Sequence, residues 1–593
     1  MTKTRRLLAL AVVFMMVLAL AACSSPSASP SATAAPTQAA KDDGAATTDK
    51  GTEEEPDSVE REFYSIEMFN TYANYMGVNG GWWGKILKDE LNMELNIISP
   101  NVAGTGDTLY QTRSAAGNLG DSIVISSSRM IDCQAAGLLM DMAPYLLDAP
   151  NLQKLSIAYE KFAEMFPDGG VYAIPGRVSG LSPTTAAGRG LNPEVAVYLR
   201  YDYYMEMGSP EINGWDGLLE LLAEMCEKYP TNELGNKTYG YSAFPDWDGN
   251  SVRAAHEMLY MDGYAPGNGY IWYNYTNGAT TSVVDPEGEY YQHLKRLNKA
   301  YNMGILDPDS STQNWDNIAQ KFRDGQVLFG WWPFLASSVF DRFDRTTRYP
   351  YAPVPVKGTT LNSPGYNPYG LEGNAYAIGS QAKYPERIIE FYDWLTSPRG
   401  IGLTNGRVEG VTYTMVDGQP VLTDFAKDGN IDKQAPEDMG GGTWDDGSPK
   451  FNYPLTHQDD PNELLNGASN NSNLWASTIA DNNNEWNTHY RDFYKTESPM
   501  RLFQDGGMMV VTPGTYYTTP SEPSDITTIR AQIKEIVQPA GWRMIYASNE
   551  AEFESIWQEA LGQLDDFGLQ ELLEYDMRIT NEKIAAVKDT LGQ

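Results

Sequence analysis

Hydrophobic and polar positions follow one another with two different periods along most of this chain. Short apolar-rich runs at residues 65–69, 95–98 and 122–125 predict β-strands, and residues 81–90 between the first two predict the start of a helix. Strands and helices that take turns in this way are typical of α/β units. The pattern therefore predicts an α/β protein with a largely parallel sheet.

Three later segments carry apolar residues at the 3.6-residue spacing of an amphipathic helix. They are residues 215–229, residues 385–397 and a stretch that begins near Phe553. In the second of these segments, Pro385 suits the first helical turn, and Pro398 and Gly400 predict the end of the helix. The buried faces are predicted to be Leu218, Leu219, Leu222, Met225 and Cys226; Ile388, Ile389, Tyr392 and Leu395; and Phe553, Ile556, Trp557, Leu561 and Leu564. Residues 410–550 show weaker periodicity, which predicts a loop-rich region that contributes to a ligand face.

The first 60 residues have a different character. A basic start, an apolar run from Leu7 to Leu18 and small residues before Cys23 predict a signal peptide over residues 1–22. The run of about 12 residues is too short to span a bilayer. Leu-Ala-Ala-Cys at its end resembles a bacterial lipobox, which implies that Cys23 becomes the first mature residue and carries lipid. Residues 23–60, rich in Ser, Ala, Pro and Thr, are predicted to be a disordered tether.

Composition and charge narrow the classes of partner. The chain has 593 residues, 41% of them hydrophobic, and a net charge of −35. Residues 1–22 hold three basic and no acidic residues, so the mature chain would carry a charge of −38. Such a surface argues against nucleic acids and anionic lipid headgroups as partners. After Cys23 the chain has Cys133 and Cys226, too few for a disulfide framework, and whether they pair stays open.

Several segments, in order, resemble the extracellular solute-binding proteins of ABC sugar importers, the family of the maltodextrin-binding proteins. The likeness covers roughly residues 121–400. Gly120 and Gly214 depart from the usual pattern of the family, and the segment from Phe553 to Tyr575 resembles the longer, oligosaccharide-binding lipoproteins. The matching segments are residues 116–123, 136–145, 171–175, 198–204 with 214–216, 322–327, and 375–378 leading into 385–387.

This resemblance implies a two-lobed, periplasmic-binding-protein-like α/β fold with a hinge between the lobes. Lobe 1 is expected at about 61–175 with parts of 335–400, and lobe 2 at about 180–330 with much of 400–593. The implied function is the capture of a carbohydrate, an oligosaccharide in particular, for an ABC permease. The protein would be a monomer at the extracellular face of a bacterial cell membrane, touching that membrane through its lipid alone. No cofactor, metal or nucleic acid is expected.

Aromatic side chains are the main candidates for the ligand site, because a flat ring covers the apolar face of a sugar. Trp331 and Trp332 follow a predicted strand at residues 327–329 and align with the family loop that supplies a stacking tryptophan. Asp246 and Trp247 stand where the family has an aromatic ligand loop. Further candidates follow predicted strands or turns: Ser127, Ser128, Arg129, Trp82, Trp83, Arg177, Trp444 and Asp445.

Signals of catalysis are poor. His256-Glu257 starts like a zincin helix, but Tyr260 stands in place of the second histidine. The acidic loop at residues 307–311 lacks the glycine and the final glutamate of an EF-hand. The sequence therefore predicts a binding protein and not an enzyme. Two alternatives stay open: a surface glycoside hydrolase, and the same fold with a non-sugar ligand such as a peptide.

Overall fold

The computed structural model describes residues 62–103, 107–187, 190–336, 351–370, 373–427, 433–481 and 485–593. The predicted signal peptide, Cys23 and the predicted tether lie outside the described residues. Within these ranges, none of the helices combines the length and the apolar character needed to cross a membrane.

Strands and helices alternate through most of the described residues. The strands are β1 (Tyr64–Asn70), β2 (Gly77–Val78), β3 (Met93–Ile98), β4 (Ser122–Ile125), β5 (Ile174–Pro175), β6 (Tyr198–Arg200), β7 (Ile212–Asn213), β8 (Tyr239–Tyr241), β9 (Ala265–Pro266), β10 (Ile271–Asn274), β11 (Ala279–Ser282), β12 (Val327–Gly330), β13 (Tyr351–Pro353), β14 (Val356–Lys357), β15 (Leu361–Pro364), β16 (Ala375–Ile378), β17 (Tyr413–Val416), β18 (Gln419–Leu422) and β19 (Met509–Thr512). The helices are α1 (Gly81–Leu91), α2 (Pro100–Ala103), α3 (Asp107–Ala115), α4 (Ser127–Ala135), α5 (Ser156–Ala163), α6 (Tyr201–Glu206), α7 (Gly214–Lys228), α8 (Arg253–Met261), α9 (Glu289–Asn302), α10 (Trp315–Arg323), α11 (Pro385–Thr396), α12 (Pro398–Thr404), α13 (Asp424–Lys427), α14 (Ala476–Asp481), α15 (Glu485–Tyr494), α16 (Pro499–Asp505), α17 (Ser524–Ile545), α18 (Glu550–Leu564) and α19 (Leu569–Thr590).

The first sheet has the order β2-β3-β1-β4-β16-β5, and we use lobe 1 for this sheet and the cores on its two faces. Strands β3, β1 and β4 run parallel, whereas β16 is antiparallel to both β4 and β5. Side chains alternate across a strand, so Ile66 and Met68 enter one core and Phe69 enters the core on the opposite face. Both faces of this sheet are therefore covered.

The second sheet has the order β13-β6-β12-β8, and we use lobe 2 for this sheet and the core around it. Strand β12 is antiparallel to β6 and parallel to β8. A single core surrounds it and extends to the C-terminal helices α17, α18 and α19, with Ile533, Trp557 and Ile579 fully buried. The predicted largely parallel sheet is thus mixed in both lobes, since returning segments insert antiparallel strands.

The chain crosses between the two sheets repeatedly. It leaves lobe 1 after β5 and returns between β13 and β16. It then adds Leu403, Trp444 and Leu455 to the core of lobe 1 before Tyr490 enters the core of lobe 2. The crossing segments lie side by side, because Val178 donates its backbone N–H to Leu455 O at 2.9 Å and accepts from His457 N at 2.9 Å.

The local predictions agree with these elements. The strands predicted at residues 65–69, 95–98 and 122–125 are β1, β3 and β4, and the three amphipathic helices are α7, α11 and α18. Their predicted inner faces are buried, except for Cys226 and Leu561, which are partly exposed at the edge of the core. Both described cysteines, Cys133 and Cys226, are free thiols.

Candidate functional site

A cavity of about 680 Å³ lies where lobe 2 faces the crossing segments. Its wall in lobe 2 comes from α8, from the loops after β8 and β12, and from α19. Tyr453 also lines the cavity, and its ring packs edge-on against Tyr72 of lobe 1 at a centroid distance of 5.2 Å. Residues of both lobes therefore surround the cavity, whose volume lies in the range of small-molecule sites.

Aromatic side chains dominate the lobe 2 wall. Trp247 and Trp332 lie with ring centroids 5.8 Å apart, and Phe334 stacks on Trp332 at 5.3 Å with an interplanar angle of 15°. Behind Trp247, Trp315 stacks on its ring at 4.9 Å. Trp247 is 44% exposed, so it presents apolar surface to the cavity. Further tyrosine rings from Tyr260, Tyr273, Tyr453 and Tyr517 complete the lining.

Two aspartates accept hydrogen bonds that hold the loop carrying Trp247 in place. Asp246 accepts from the backbone N–H of Trp315 at 2.9 Å, at the start of α10. Asp248, almost fully buried, accepts from Arg253 N at 2.9 Å and from the indole N–H of Trp542 at 2.6 Å. Burial raises the pKa of Asp248. The loop is therefore attached both to α8 and to the C-terminal helix α17.

A buried carboxylate on α8 holds two side chains of the wall. Glu257 exposes no surface, and one of its oxygens accepts from the indole N–H of Trp332 at 3.0 Å. Its other oxygen pairs with the Nε of Arg253, whose guanidinium lies 5.9 Å from the centre of the Trp332 ring. Burial raises the pKa of Glu257, and the positive charge of Arg253 opposes that effect. Burial would lower the pKa of Arg253, but Glu257 more than offsets it and the pKa is raised.

Polar groups are distributed around the rest of the cavity. The Nδ2 of Asn362 donates to Thr512 Oγ1 at 2.8 Å, and the Nδ2 of Asn367 donates to the carbonyl oxygen of Thr515 at 2.9 Å. Lys583 on α19 donates to the carbonyl oxygen of Gly267 at 2.8 Å. Burial raises the pKa of the Tyr260 hydroxyl to about 12, so this group is a neutral donor and acceptor at physiological pH. An apolar wall with such groups at its margin suits a hydroxyl-rich ligand.

The structure brings together part of the predicted site. Trp247 and Trp332 both line the cavity. Arg177 does not line it, but its guanidinium lies 5.6 Å from the centre of the Tyr453 ring, which does. Asp246 stands next to Trp247 and is engaged with α10 as described above.

Four other predicted tryptophan and aspartate residues lie elsewhere. Trp82 and Trp83 are 0% exposed in the core of lobe 1. Trp82 stacks on Trp444 at 4.4 Å and donates its indole N–H to the carbonyl oxygen of Trp444 at 2.8 Å. Asp445 is exposed, and its carbonyl oxygen accepts from Ser448 Oγ at 2.6 Å. The stacked pair of Trp82 and Trp444 thus packs α1 against the loop at residues 444–448.

Trp331 and the predicted residues of α4 do not line the cavity. Trp331 is 4% exposed and packs between Tyr241 and Phe329, with ring centroids at 4.3 and 4.6 Å. Ser127 is buried and lines a smaller enclosure, which shares Thr515 and Tyr517 with the cavity. The carbonyl oxygen of Ser128 accepts from Ser521 at 2.9 Å, and Arg129 pairs with Asp107 at 2.7 Å.

Sequence reasoning missed Arg253, Tyr260, Tyr273, Tyr453, Tyr517 and Lys583. One signal was available on α8, where Arg253, Glu257 and Tyr260 recur at the spacing of one helical face. The remaining residues come from segments distant in the sequence, which carry no local pattern that associates them.

One group among the described residues has the composition of a cation site. Asp262, Glu289 and His293 lie close together. However, the Nδ1 of His293 accepts from Arg296 at 2.8 Å, so the Nε2 atom carries the proton and faces Asp262 at 3.2 Å. A protonated Nε2 is a donor and not a metal ligand. In the loop at residues 307–311, the ammonium group of Lys321 bridges Asp307 and Asp309 at 2.6 and 2.9 Å.

Comparison with known proteins finds a family model that matches part of the chain. Residues 233–401 match the model of the family described as bacterial extracellular solute-binding protein. No curated protein sequence matches the chain at a significant level.

Several solved structures have the same fold. The alginate-binding protein AlgQ2 has a TM-score of 0.57 at 15% identity, with 87% of this chain and 98% of that chain covered. The S. pneumoniae substrate-binding protein FusA in complex with kestose has a TM-score of 0.58 at 14% identity, with 88% and 99% covered. An HMO-binding solute-binding protein from Bifidobacterium longum infantis has a TM-score of 0.57 at 15% identity, with 89% and 100% covered. The two-lobed periplasmic-binding-protein-like fold is therefore that of this chain.

Proposed function

We propose that this chain captures an oligosaccharide outside the cell and delivers it to an ABC permease; the match of residues 233–401 to the family model described as bacterial extracellular solute-binding protein supports this role. The observation that carries the proposal is the aromatic wall of the cavity, where Trp247, Trp332 and Phe334 lie beside amide, hydroxyl and backbone groups. Stacking surfaces with convergent hydrogen-bonding groups match the two kinds of surface on a sugar ring.

The related structures support an oligosaccharide over a single sugar. Those named above are described as binding alginate, HMO and kestose. An elongated ligand would also use Tyr453, which lines the same cavity as Trp247 and Trp332 and packs against Tyr72 of lobe 1.

Capture works by closure of the lobes and makes or breaks no covalent bond. A ligand that contacts both lobes binds the closed form more tightly than the open form and so shifts the population towards it. The crossing segments that lie side by side at Val178 and His457, and at Ala186 and Gly365, would act as the hinge. The permease subunits would then recognise the closed form.

The proposed setting is the extracellular face of a bacterial cell membrane. Cleavage after residue 22 and lipidation of Cys23 would attach the protein there, and residues 24–60 would let the two-lobed body stand away from the lipid. The body would act as a monomer.

A saccharide panel tests the proposal directly. Maltotetraose, cellotetraose, xylotetraose, β-1,4-galactotetraose, kestose and a tetrapeptide mixture would be screened by thermal shift, followed by titration calorimetry. We expect at least one oligosaccharide to raise the melting temperature in a concentration-dependent way and to be recovered unchanged. Hydrolysis products would support the glycoside hydrolase alternative, and stabilisation by peptides alone would support a peptide ligand. Either result would contradict the proposal.

A further inference from the structure

The charged side chains around the cavity are balanced. Among the described residues that line it, the charged ones are Arg253, Lys583 and Glu194. Glu257 does not line the cavity but lies directly behind Arg253. The cavity and the residues directly behind its wall therefore hold two cations and two carboxylates, whereas the whole protein carries a net charge of −35.

The pair formed by Arg253 and Glu257 is asymmetric towards the cavity. The side chain of Arg253 is 38% exposed, whereas that of Glu257 is 0% exposed. A ligand therefore meets the guanidinium group and never touches the carboxylate. Both oxygens of Glu257 accept from N–H groups, one of them on a cation, which is the bonding pattern of an ionised carboxylate.

We propose that Glu257 is a positioning residue that sets the charge selectivity of this cavity, making it favour uncharged saccharides over acidic ones. The inference rests on the proposed function. By neutralising Arg253, Glu257 removes the attraction that an isolated guanidinium would exert on a carboxylate of a uronate. By accepting from Trp332, it also holds the ring in the wall.

Neutralising Arg253 and holding the Trp332 ring are two separate roles of Glu257, and different substitutions remove them. Glu257→Gln keeps an oxygen acceptor for Trp332 but removes the negative charge. Arg253 then loses the carboxylate that pairs with it directly, so its positive charge acts more strongly on the ligand, in a partly desolvated site where Coulomb interactions are strong. Glu257→Asp keeps the charge but shortens the side chain, so it disturbs geometry and leaves the charge balance intact.

The experiment measures a ratio of affinities by titration calorimetry. The probes are each neutral oligosaccharide that binds in the panel above and the same oligosaccharide oxidised at C6 to the uronate. We expect the wild-type protein to favour the neutral form, and Glu257→Gln to shift the ratio towards the acidic form by at least about tenfold. Glu257→Asp should leave the ratio within about threefold of wild type. Arg253→Gln combined with Glu257→Gln should abolish the shift.

Control variants separate the effect from changes in folding or overall charge. Glu224→Gln removes one exposed carboxylate of α7 and should leave the ratio unchanged. If Glu257→Gln does not fold, Arg253→Gln provides the opposite test, because the remaining Glu257 carboxylate should weaken the acidic form at least about tenfold more than the neutral form.

Each outcome has a distinct meaning. A wild-type protein that binds the acidic form as tightly as the neutral form overturns the inference and leaves carbohydrate capture standing. An unchanged ratio in a folded Glu257→Gln protein does the same. If the wild-type protein binds no saccharide, both the inference and the proposed function fail.

Discussion

Trp331 and Trp332 show how neighbouring residues of the same type acquire different roles. Both follow β12, but Trp331 packs into the core against Tyr241, and Trp332 faces the cavity and donates to Glu257. Successive side chains of an extended segment point to opposite sides. The sequence predicts ligand contact for at least one member of the pair, but which of the two faces the cavity depends on the side of β12 on which α8 lies.

Trp247 and Trp331 provide a matched comparison of a ligand-facing and a core tryptophan. We expect Trp247→Ala to weaken oligosaccharide binding at least about tenfold, because a ligand loses its stacking surface. The melting temperature should change little, since Trp247 is 44% exposed. Trp331→Ala should instead lower the free energy of unfolding by about 3–5 kcal/mol through the cavity it leaves.

Calorimetric titration and denaturant unfolding of the two variants distinguish these effects. Wild-type affinity in the Trp247→Ala protein would show that its ring is not part of the ligand surface. A large loss of stability in that variant would place the ring in the core instead.

Hydrophobic periodicity predicts the helices and strands in which it is strong. Helix α17 shows where prediction from periodicity fails. Residues 410–550 were predicted to be rich in loops, yet Ser524–Ile545 is a helix with Pro539 inside it. A proline normally disfavours a helix interior, because it lacks the N–H that bonds to the preceding turn. Here Ile533, Val537 and Met544 are buried against the other C-terminal helices and α9, and tertiary packing outweighs that local cost.

Asp576 on α19 joins the C-terminal helices to lobe 2. It is 0% exposed, accepts two hydrogen bonds from Arg530 on α17 at 2.6 and 3.0 Å, and accepts from Tyr270 N at 2.9 Å. Asp576→Asn leaves the mostly buried guanidinium without its full counter-charge. We expect the free energy of unfolding to fall by about 3–5 kcal/mol, as for other broken buried ion pairs.

Glu559→Gln is the control, because Glu559 forms an ion pair with Arg543 in which both side chains are more than half exposed. That variant should change stability by less than about 1 kcal/mol in urea denaturation. Equal losses of unfolding free energy in the two variants would show that the buried Asp576 ion pair contributes no more to stability than the exposed one.

At the scale of the whole molecule, strand pairing was the least predictable feature. Strand β16, residues 375–378, lies between β4, residues 122–125, and β5, residues 174–175. Pairings between such distant segments leave no trace in the local alternation of apolar and polar residues. For the same reason the cavity, whose lining extends from Glu194 to Val587, could be predicted only in part.

The proposed closure of the two lobes would depend on the whole molecule. Crossing segments lie side by side at Val178 and His457, and Ala186 forms an antiparallel bridge with Gly365. A ligand held between Trp332 and Tyr453 would draw the lobes together. We expect small-angle scattering to show a smaller radius of gyration at saturating oligosaccharide. Trp247→Ala, at a ligand concentration that saturates only the wild-type protein, should show no such change. An identical scattering profile for the empty and the saturated wild-type protein would contradict capture by closure, because ligand contacts that favour the closed form must shift the population towards it.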